Sequence, residues 1–438
     1  MRSSHAISCA LLSTAALAGG AAVAQAQNDL VSLDRIGSPD AANVMTFRVN
    51  PDQSNNAPLP DVAEGYANLY QGFAQAHPDW QIQLELMTTD IGQEHARMLE
   101  QARAGRAPDC ASVDSFQLPL FIQQGVLKPV TEHFTQEEVD DLFPFVRETV
   151  VGEDSEVYAW WWNTDLRVLY RNADLVPEAP ETWDEVQAAA LAAKDQGVSD
   201  GIVFNGGRWE GATFDWLAYF WGQGGELLDG EGKPIFAEGE NRQHMLDALN
   251  FFDQLVESGA APERVSTITT YDDLRAAAIG GEAAMFFGGH WQYTQLEQSM
   301  EPEVFEKWQV SMLPGETPDQ RSTGTGGWSI ASFSDDPEKV ALCMALVREV
   351  YMGPVNELVQ QIPTRASLFD ELPSFQTEFF GQMKEYLQYG QARPGFPIYP
   401  ELSNQFQIML GEVLSQEKDP EEALDDAAER VMDAYGKL

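Results

Sequence analysis

Hydrophobic and polar positions in the first third of the chain alternate between the period of a strand and the period of a helix. Residues 44–49 form a short apolar-rich run, which indicates a buried strand, and residues 61–76 carry apolar side chains at helical spacing. Residues 80–86 alternate strictly between apolar and polar positions, as in a half-buried strand. A helix over 92–104 and a strand over 108–113 follow. This repetition predicts a largely parallel sheet with helices on both faces.

The middle of the chain repeats the same strand and helix pattern. Thr182 and Glu185 have the spacing of a capping box, which predicts the start of a helix that runs through Lys194. Residues 241–258 carry apolar side chains at helical spacing, and residues 283–287 indicate a further strand. The last third is mostly helical, and no low-complexity linker interrupts the chain. Two α/β lobes are therefore expected, with several ordered crossings between them.

The N-terminal residues have the features of a secretory signal. A short basic start at Arg2 is followed by an apolar run over 6–18 and by Ala24-Gln25-Ala26. This predicts a signal peptide over 1–26 that is cleaved after Ala26. The apolar run is shorter than the about 20 residues of a membrane helix. Cys9 lies inside the run, too early for a lipoprotein cysteine, so we expect a soluble mature protein in the periplasm.

Charge is the strongest signal in the composition. The chain has 69 Asp and Glu against 26 Lys and Arg, a formal net charge of −43. Such a surface repels nucleic acid and anionic lipid, so neither is an expected partner. The acids are spread over the whole chain rather than collected in a tail. A dispersed coat of carboxylates predicts a salt-loving source, where dissolved ions screen the self-repulsion.

Two cysteines remain after the predicted cleavage, Cys110 and Cys343. They could pair in an oxidising compartment, but two cysteines do not make a disulfide scaffold. Our default expectation is a pair of buried free thiols. The six histidines are scattered and none has metal-ligand spacing with another, and the chain has no P-loop, so no metal or other cofactor is expected.

Several segments, in order along the chain, resemble the sugar-specific extracellular solute-binding proteins of ABC importers, in the maltose- and trehalose-binding group. The segments 124–130, 158–172 and 282–286 are similar to family segments in the expected order. The stretches that carry the resemblance best are Pro180-Glu181-Thr182-Trp183-Asp184-Glu185, Gly326-Gly327-Trp328 and Ile362-Pro363-Thr364-Arg365. The resemblance covers most of the mature chain.

The resemblance implies a two-lobe periplasmic-binding-protein fold, in which each lobe is a mostly parallel sheet flanked by helices. One lobe is expected to comprise 27–158 plus 326–372, and the other 159–325 plus 373–438. The ligand would lie in the interlobe cleft, and closure about hinges would create the surface that the importer's permease subunits in the inner membrane read. The implied protein is a monomer that binds a neutral mono- to oligosaccharide, such as trehalose, maltose or glucosylglycerol.

Tryptophans are the first candidates for ligand contact, because the C–H faces of sugars stack on aromatic rings. Trp161 and Trp162 lie near the predicted crossing, although neighbouring rings on a strand face opposite sides. Trp209, Trp291 and Trp328 each follow a glycine pair within two residues, which indicates aromatic groups presented on loops. For Trp183, Trp216 and Trp221 we expect core positions instead.

Polar candidates are expected to fix the hydroxyls of a sugar. Glu210 stands in a Trp-Glu-Gly segment similar to the family's, and Asp165 follows the aromatic residues of the crossing. Arg393 matches an arginine that reaches the cleft in the resembling proteins. Asp114 ends a predicted strand, where open α/β sheets bind ligands. Gly327, at the crossing, is included as a backbone contact.

Two other functions compete with sugar binding. Asp165 and Glu210 could serve as the carboxylate pair of a secreted glycoside hydrolase. However, the near match to a nucleophile elbow at 327–331 ends in Ala331, and no histidine follows His290 to complete that site. A compatible solute such as betaine would need an acidic aromatic cage, against which Arg393 argues. We therefore expect a binding protein rather than an enzyme.

Overall fold

The computed structural model describes residues 30–88 and 91–437. The predicted signal peptide and its cleavage site lie outside these residues. The strands are β1 Val31–Ser32, β2 Arg35–Gly37, β3 Asn43–Val49, β4 Trp80–Leu86, β5 Cys110–Asp114, β6 Ala159–Thr164, β7 Arg167–Asn172, β8 Asp200–Val203, β9 Ala283–Gly289, β10 Trp308–Ser311, β11 Thr323–Thr325, β12 Gly327–Ser332, β13 Ile362–Pro363 and β14 Gly390–Ala392.

The α-helices are amphipathic segments that cover these strands, and many begin at a capping side chain or at proline. They are α1 Pro60–Ala76, α2 Ile91–Arg103, α3 Leu118–Gln123, α4 Gln136–Asp140, α5 Pro144–Val150, α6 Trp183–Asp195, α7 Glu210–Trp221, α8 Gly239–Glu257, α9 Tyr271–Ile279, α10 Gln292–Ser299, α11 Pro302–Phe305, α12 Pro337–Leu346, α13 Pro354–Val359, α14 Leu368–Glu371, α15 Glu378–Tyr386, α16 Tyr399–Leu414 and α17 Pro420–Tyr435. None of the helices in the described part of the chain is long and apolar enough to cross a membrane.

Two sheets organise the molecule. The first has the order β1-β2-β4-β3-β5-β12-β6-β13 and the second the order β10-β7-β9-β8. Both sheets are mixed, which corrects the expectation of mostly parallel sheets: β3 runs parallel to β4 and β5, and β8 to β9, while the other pairs in the two sheets are antiparallel. The reason is that β6 and β12 enter the first sheet by crossing to or from the other lobe, so no helical crossover sets their direction.

The chain passes at two adjacent points between the first sheet and strands outside it, namely β7 of the second sheet and β11, which pairs with β14 in a separate two-stranded sheet. It passes from Thr164 in β6 to Arg167 in β7, and from Thr325 in β11 to Gly327 in β12. The two crossings are tied together, because the N–H of Asp165 donates to the carbonyl of Gly326 at 3.1 Å. The N–H of Gly326 in turn donates to the carboxylate of Asp165 at 2.9 Å. These reciprocal bonds hold the two crossings against each other.

The sheet pairing bears on the lobe boundaries expected from the sequence. Strand β6 pairs with β12 and β13 of the first sheet, so residues 159–164 extend that sheet beyond the expected boundary at 158. In the second lobe, α16 packs against α17 and α7, and β14 pairs with β11. We retain the division into two discontinuous lobes as a proposal, with the first crossing at residues 165–166.

Cys110 and Cys343 form a disulfide, with their Cα atoms 5.8 Å apart. The default expectation of two free thiols is therefore wrong. Cys110 begins β5, and Cys343 lies on α12, which follows the strand β12 that pairs with β5. Because 233 residues separate the two cysteines in sequence, only the sheet order brings them together.

Candidate ligand-binding site between the lobes

Asp114 and Trp328, both predicted from the sequence, lie side by side at the ends of two neighbouring inner strands of the first sheet. Asp114 is the last residue of β5 and is paired in register with Trp328 of β12. His95 accepts a hydrogen bond from the N–H of Asp114 at 3.1 Å, and its ring lies 6.2 Å from the ring of Trp328. Strand pairing therefore delivers a carboxylate and a half-buried indole to one position beside the crossing.

Arg393 connects the two halves of this site. Its Nη1 donates to Oε1 of Glu210 at 3.0 Å, and its Nη2 lies 3.4 Å from Oδ1 of Asp114. The guanidinium also lies over two rings, 4.3 Å from the centroid of Phe116 and 4.3 Å from that of Phe214. A planar guanidinium held by carboxylates and rings in this way is fixed in orientation. Three of the predicted polar residues thus belong to one network.

Glu210 is the first residue of α7, where the unpaired N–H groups of a helix favour a negative charge. Its Oε1 accepts a hydrogen bond from the hydroxyl of Tyr399 at 2.7 Å, in addition to the one from Arg393. Its Oε2 accepts a hydrogen bond from the hydroxyl of Ser403. Tyr399 and Ser403 both lie on α16, so this helix braces the start of α7.

A second arginine, Arg167, organises the other side of the site. Its Nε donates to Oδ1 of Asp215 at 2.7 Å, its Nη1 donates to Asp165, and its Nη2 donates to the hydroxyl of Tyr271 at 3.0 Å. The guanidinium lies over the ring of Phe214 at 4.0 Å from the centroid. Asp165 therefore binds both Arg167 and the backbone of the second crossing at Gly326.

Trp209 and Trp291 flank the ring of Tyr271. The ring centroids of Trp209 and Tyr271 are 5.4 Å apart, and those of Trp291 and Tyr271 are 4.8 Å apart, both with edge-to-face geometry. Both indoles are half-buried, and Nε1 of Trp209 has no hydrogen-bond partner among the described residues. The loops after the two glycine pairs thus place two aromatic groups and an unused N–H donor together.

Trp161 and Trp162 are placed differently from the other predicted tryptophans. Their exposures are 0% and 1%, so neither ring presents a free face to a ligand in this structure. Trp161 packs edge-on against Phe145 and donates its Nε1–H to the carbonyl of Asn163 at 2.6 Å. Trp162 packs against Tyr351 in the core of the first lobe. The strand alternation that separates their rings sends both into packed interiors.

Gly327 has a structural reason to be glycine. Its φ is 148°, and a Cβ at this position would lie 2.0 Å from the carbonyl oxygen of Asn163 and 2.6 Å from Nε1 of Trp161. The close approach of the two crossing strands leaves no room for a side chain. Gly327 therefore allows the two crossing strands to approach each other closely, directly before Trp328.

Burial shifts the pKa of three groups in or beside the site. It raises the pKa of Asp114 to about 6, although the nearby Arg393 acts in the opposite direction. Burial lowers the pKa of His290 to about 4, so this imidazole is neutral at pH 7. Burial also raises the pKa of Tyr399, which keeps its hydroxyl protonated as a donor to Glu210.

Sequence reasoning missed several residues of this network: Arg167, Phe214, Asp215, Tyr271, Tyr399 and Ser403. One signal was available for Asp215, because an acid inside the otherwise apolar segment 212–220 needs a partner when the segment is buried. The sequence gives no comparable signal for the other missed residues, because their contacts depend on how α7, α9 and α16 pack. No group of three or more potential metal-ligating side chains occurs in the residues that the structure describes.

Comparisons with known proteins identify the family and the fold of the chain. Residues 53–347 match the family described as bacterial extracellular solute-binding protein. A galactooligosaccharide-binding protein of Bacillus subtilis (strain 168) is 22% identical over 361 residues, covering 77% of this chain and 80% of the relative. Maltose-bound MalE3 of T. maritima is 23% identical with a TM-score of 0.72, covering 89% of this chain and 99% of that one. The sugar-binding protein MalE of Xanthomonas citri is 20% identical with a TM-score of 0.74, covering 90% and 98%.

The chain belongs to the bacterial extracellular solute-binding protein family, because the match spans more than half of its length. The structural likeness confirms the two-lobe α/β fold expected from the sequence. Family membership also confirms the expectation of a binding protein rather than an enzyme.

Proposed function

We propose that the protein is the substrate-binding component of an ABC sugar importer and that it binds a neutral mono- to oligosaccharide between its lobes. The expected ligand is a glucose-containing disaccharide such as trehalose or maltose, or glucosylglycerol. The observation that carries the proposal is the grouping of half-buried indoles with an arginine and carboxylates at the crossing: Asp114, Trp209, Glu210, Trp291, Trp328 and Arg393. Rings for stacking and fixed polar groups for hydroxyls are what a sugar requires.

The compared proteins support the class of ligand. The relative from B. subtilis is named for galactooligosaccharide binding, and the compared T. maritima protein has maltose bound. Because these chains are 22% and 23% identical to this one, they favour a saccharide without selecting which one. The site's own chemistry has to decide the sugar.

The aromatic groups argue against betaine as the ligand. A cation would be held by aromatic faces, but here the guanidinium of Arg167 lies 4.0 Å from the centroid of Phe214 and 5.3 Å from that of Trp291. Arg393 similarly covers Phe116 and Phe214. The guanidinium groups of the chain already cover these ring faces, so the rings are not free to form a cage around the cationic group of betaine. A neutral polyol does not need such a cage.

A glycoside hydrolase is equally disfavoured. Asp165 and Glu210, the carboxylate pair imagined for that reaction, each form an ion pair with an arginine. Each carboxylate is thus held by an arginine of the chain, whereas the two carboxylates of a glycosidase must be free to contact the glycosidic bond. The proposal is therefore one of binding, with closure of the lobes favoured by the ligand's higher affinity for the closed state.

The proposed location is the periplasm. A signal peptide over 1–26, cleaved after Ala26, would direct the chain there. The proposed partners are the importer's permease subunits in the inner membrane, which would receive a monomer with its cleft closed. The crossing would be supported by the buried rings of Trp161 and Trp162 and by the close backbone approach at Gly327. Asp165 would stabilise the proposed hinge through its bond to Gly326.

The test is a thermal-shift screen of the mature protein in molar salt against trehalose, maltose, sucrose, glucosylglycerol, monosaccharides and betaine. A ligand that binds the native state raises the unfolding midpoint by mass action. We expect a rise with at least one sugar and none with betaine. A rise with betaine alone would overturn the proposal.

Calorimetry with the sugar that gives the largest shift then tests the site. Trp209→Ala and Glu210→Ala are each expected to weaken binding well beyond about tenfold while the protein still folds. Glu210→Ala should also lower the ligand-free midpoint, because it removes the acceptor of Arg393, Tyr399 and Ser403. Unchanged affinity in both variants would contradict the site assignment.

A further inference from the structure

The carboxylates of the site differ in how completely their oxygens are hydrogen-bonded. Asp215 accepts three hydrogen bonds, from Nε of Arg167 at 2.7 Å, the hydroxyl of Tyr271 at 2.7 Å and the side chain of Asn205 at 3.0 Å. Asp165 accepts from Arg167 and from the N–H of Gly326. Both carboxylates are committed to holding other parts of the protein.

Glu210 is also committed. Its two oxygens accept from Nη1 of Arg393, from the hydroxyl of Tyr399 and from the hydroxyl of Ser403. A carboxylate with three short donors gains little from another hydroxyl, because the ligand would have to displace a charge-assisted bond. Glu210 is therefore poorly suited to accept a bond from a sugar.

Asp114 is different. Within the described part of the chain its carboxylate accepts only two long contacts, from Nη2 of Arg393 at 3.4 Å and from the backbone N–H of Phe116 at 3.5 Å. Both contacts reach Oδ1, so Oδ2 is left without a donor among the described residues. Oδ2 of Asp165 also has no donor there, but Oδ1 of Asp165 accepts closer bonds from Nη1 of Arg167 and from the N–H of Gly326 at 2.9 Å, so Asp114 is the carboxylate without a close donor at either oxygen. The raised pKa of this carboxyl has the same cause, since burial outweighs the compensation that Arg393 supplies. Nε of Arg393 is likewise buried and without a partner among the described residues.

We propose that Tyr399 and Ser403 are positioning residues that act through Glu210 on Arg393, and that Arg393 and Asp114 present the donor and the acceptor to the hydroxyls of the sugar. This inference rests on the proposed function, and it separates the polar residues that contact the sugar from those that position them. Glu210 becomes a positioning residue as well.

Burial separates this assignment from direct contact. Tyr399 and Ser403 are each 2% exposed, so in this conformation neither hydroxyl reaches a ligand in the cleft. The hydrogen bonds that their hydroxyls donate to a side chain both end on Glu210. Any effect of removing these hydroxyls on sugar affinity must therefore pass through the carboxylate to the guanidinium that it holds.

A double-mutant cycle tests this path. Tyr399→Phe and Ser403→Ala are made in the mature protein and in an Arg393→Lys background, and binding of maltose and of trehalose is measured by calorimetry. With Arg393 present, we expect Tyr399→Phe to weaken binding about tenfold, as for loss of a bond to a charged group, and Ser403→Ala to weaken it severalfold. In the Arg393→Lys background, we expect each change to lower the affinity for the sugar by less than about twofold.

Tyr158→Phe is the matched control. Its hydroxyl donates to the carboxylate of Asp154 at 2.6 Å on an exposed loop, the same chemistry away from the cleft. We expect no change in affinity for this variant. Equal losses for Tyr399→Phe in the two backgrounds, or no loss with Arg393 present, would overturn the positioning role.

A second measurement tests the same path in the absence of sugar. The same cycle on ligand-free unfolding midpoints is expected to show that the effects of Tyr399→Phe and Arg393→Lys are not additive, because both weaken one network. Additive midpoints would overturn the path through Glu210 even if sugars bind. If the effects on the midpoint are not additive but no sugar in the panel binds, the proposed function and the contacts of Arg393 and Asp114 with a ligand would be overturned. Only the inference that Tyr399 and Ser403 hold Arg393 through Glu210 would then remain.

Discussion

Nη2 of Arg393 lies 3.4 Å from Oδ1 of Asp114, which joins the segment after β14 to the end of β5. The side chains of the two residues are 8% and 16% exposed. Removing charges from water is costly, so a pair of this kind is worth forming only where the rest of the structure orients it. The pair bridges the two sides of the crossing.

Removal of this bridge should change how often the lobes are closed. We expect Arg393→Ala to lengthen and broaden the interlobe distance distribution of the ligand-free protein, because two carboxylates then face each other without a cation. Spin labels on Glu137→Cys in the first lobe and Asp433→Cys in the second, both exposed positions, allow the distance to be measured by pulsed EPR.

Arg242→Ala is the control for that measurement. Arg242 pairs with Asp425 and Glu421, and all three residues lie on helices of the second lobe, so its loss should leave the interlobe distances unchanged. Identical distance distributions for Arg393→Ala and the parent protein would show that the bridge does not favour closure.

Asp114 should leave a signature in the dependence of stability on pH. Its pKa in the folded protein, about 6, is above the ordinary aspartate value of 3.8, because the carboxyl is buried. The folded state therefore binds the proton more tightly, and the resulting stabilisation is fully present below about pH 4 and is lost as pH rises through about 6. We expect the unfolding midpoint of the parent protein, relative to Asp114→Asn, to fall over this interval.

Measuring the difference between the two proteins cancels the other titrations. His290 has a lowered pKa, so its contribution is present above pH 6.5 and is lost as pH falls through about 4, which opposes that of Asp114. A midpoint difference that stays constant from pH 4 to pH 7 would contradict the raised pKa of Asp114.

Local patterns were enough to predict most elements of the fold. Strand β4 spans Trp80–Leu86, the predicted range, and α6 begins at Trp183 after the capping box of Thr182 and Glu185. Trp183 and Trp216 are buried, as predicted for core positions. These successes share a cause, because period, caps and apolar runs are encoded within a few residues.

The failures depend on contacts between distant segments. The direction of β6 and β12 follows from the interlobe crossing, and the disulfide of Cys110 and Cys343 follows from the sheet order. The site shows the same division: Trp209 and Trp291 were found from neighbouring glycines, whereas Arg167 and Tyr399 act through partners 48 and 189 residues away. Sequence spacing carries no information about such partners.

Gly327 should tolerate no side chain. A Cβ there would meet the carbonyl oxygen of Asn163 at 2.0 Å, and the backbone atoms of a crossing strand have little freedom to move away. We expect Gly327→Ala to destabilise the protein by about 3 kcal/mol and to lower its thermal midpoint. Gly411→Ala is the matched control, since Gly411 lies in α16 with nothing within 4 Å of the added Cβ. That change should be neutral or stabilising by up to about 1 kcal/mol, and equal midpoints for the two variants would contradict the steric argument.

The disulfide should stabilise the first lobe. It links β5 to α12 across 233 residues of sequence, and loops of this length give disulfides a large effect on the unfolded chain. We expect Cys110→Ala with Cys343→Ala to cost about 2–4 kcal/mol and to lower the thermal midpoint. The parent protein should lose stability under strong reductant, while the double variant should not respond. A parent midpoint that reductant leaves unchanged, with free thiols detected in the unfolded protein, would show that the bond is absent.

Salt should stabilise the folded protein because its net charge of −43 makes the compact state repel itself. Screening shortens the reach of each charge from about 10 Å at 0.1 M salt to about 3 Å at 1 M. The acids are also dispersed over both lobes, so the repulsion acts on the whole surface rather than at one removable patch. We therefore expect the thermal midpoint to rise steadily from low to molar sodium chloride, whether or not a sugar is present. A midpoint that stays constant or falls over that range would mean that the carboxylates are neutralised by local partners, and the inference of a salt-loving source would fail with it.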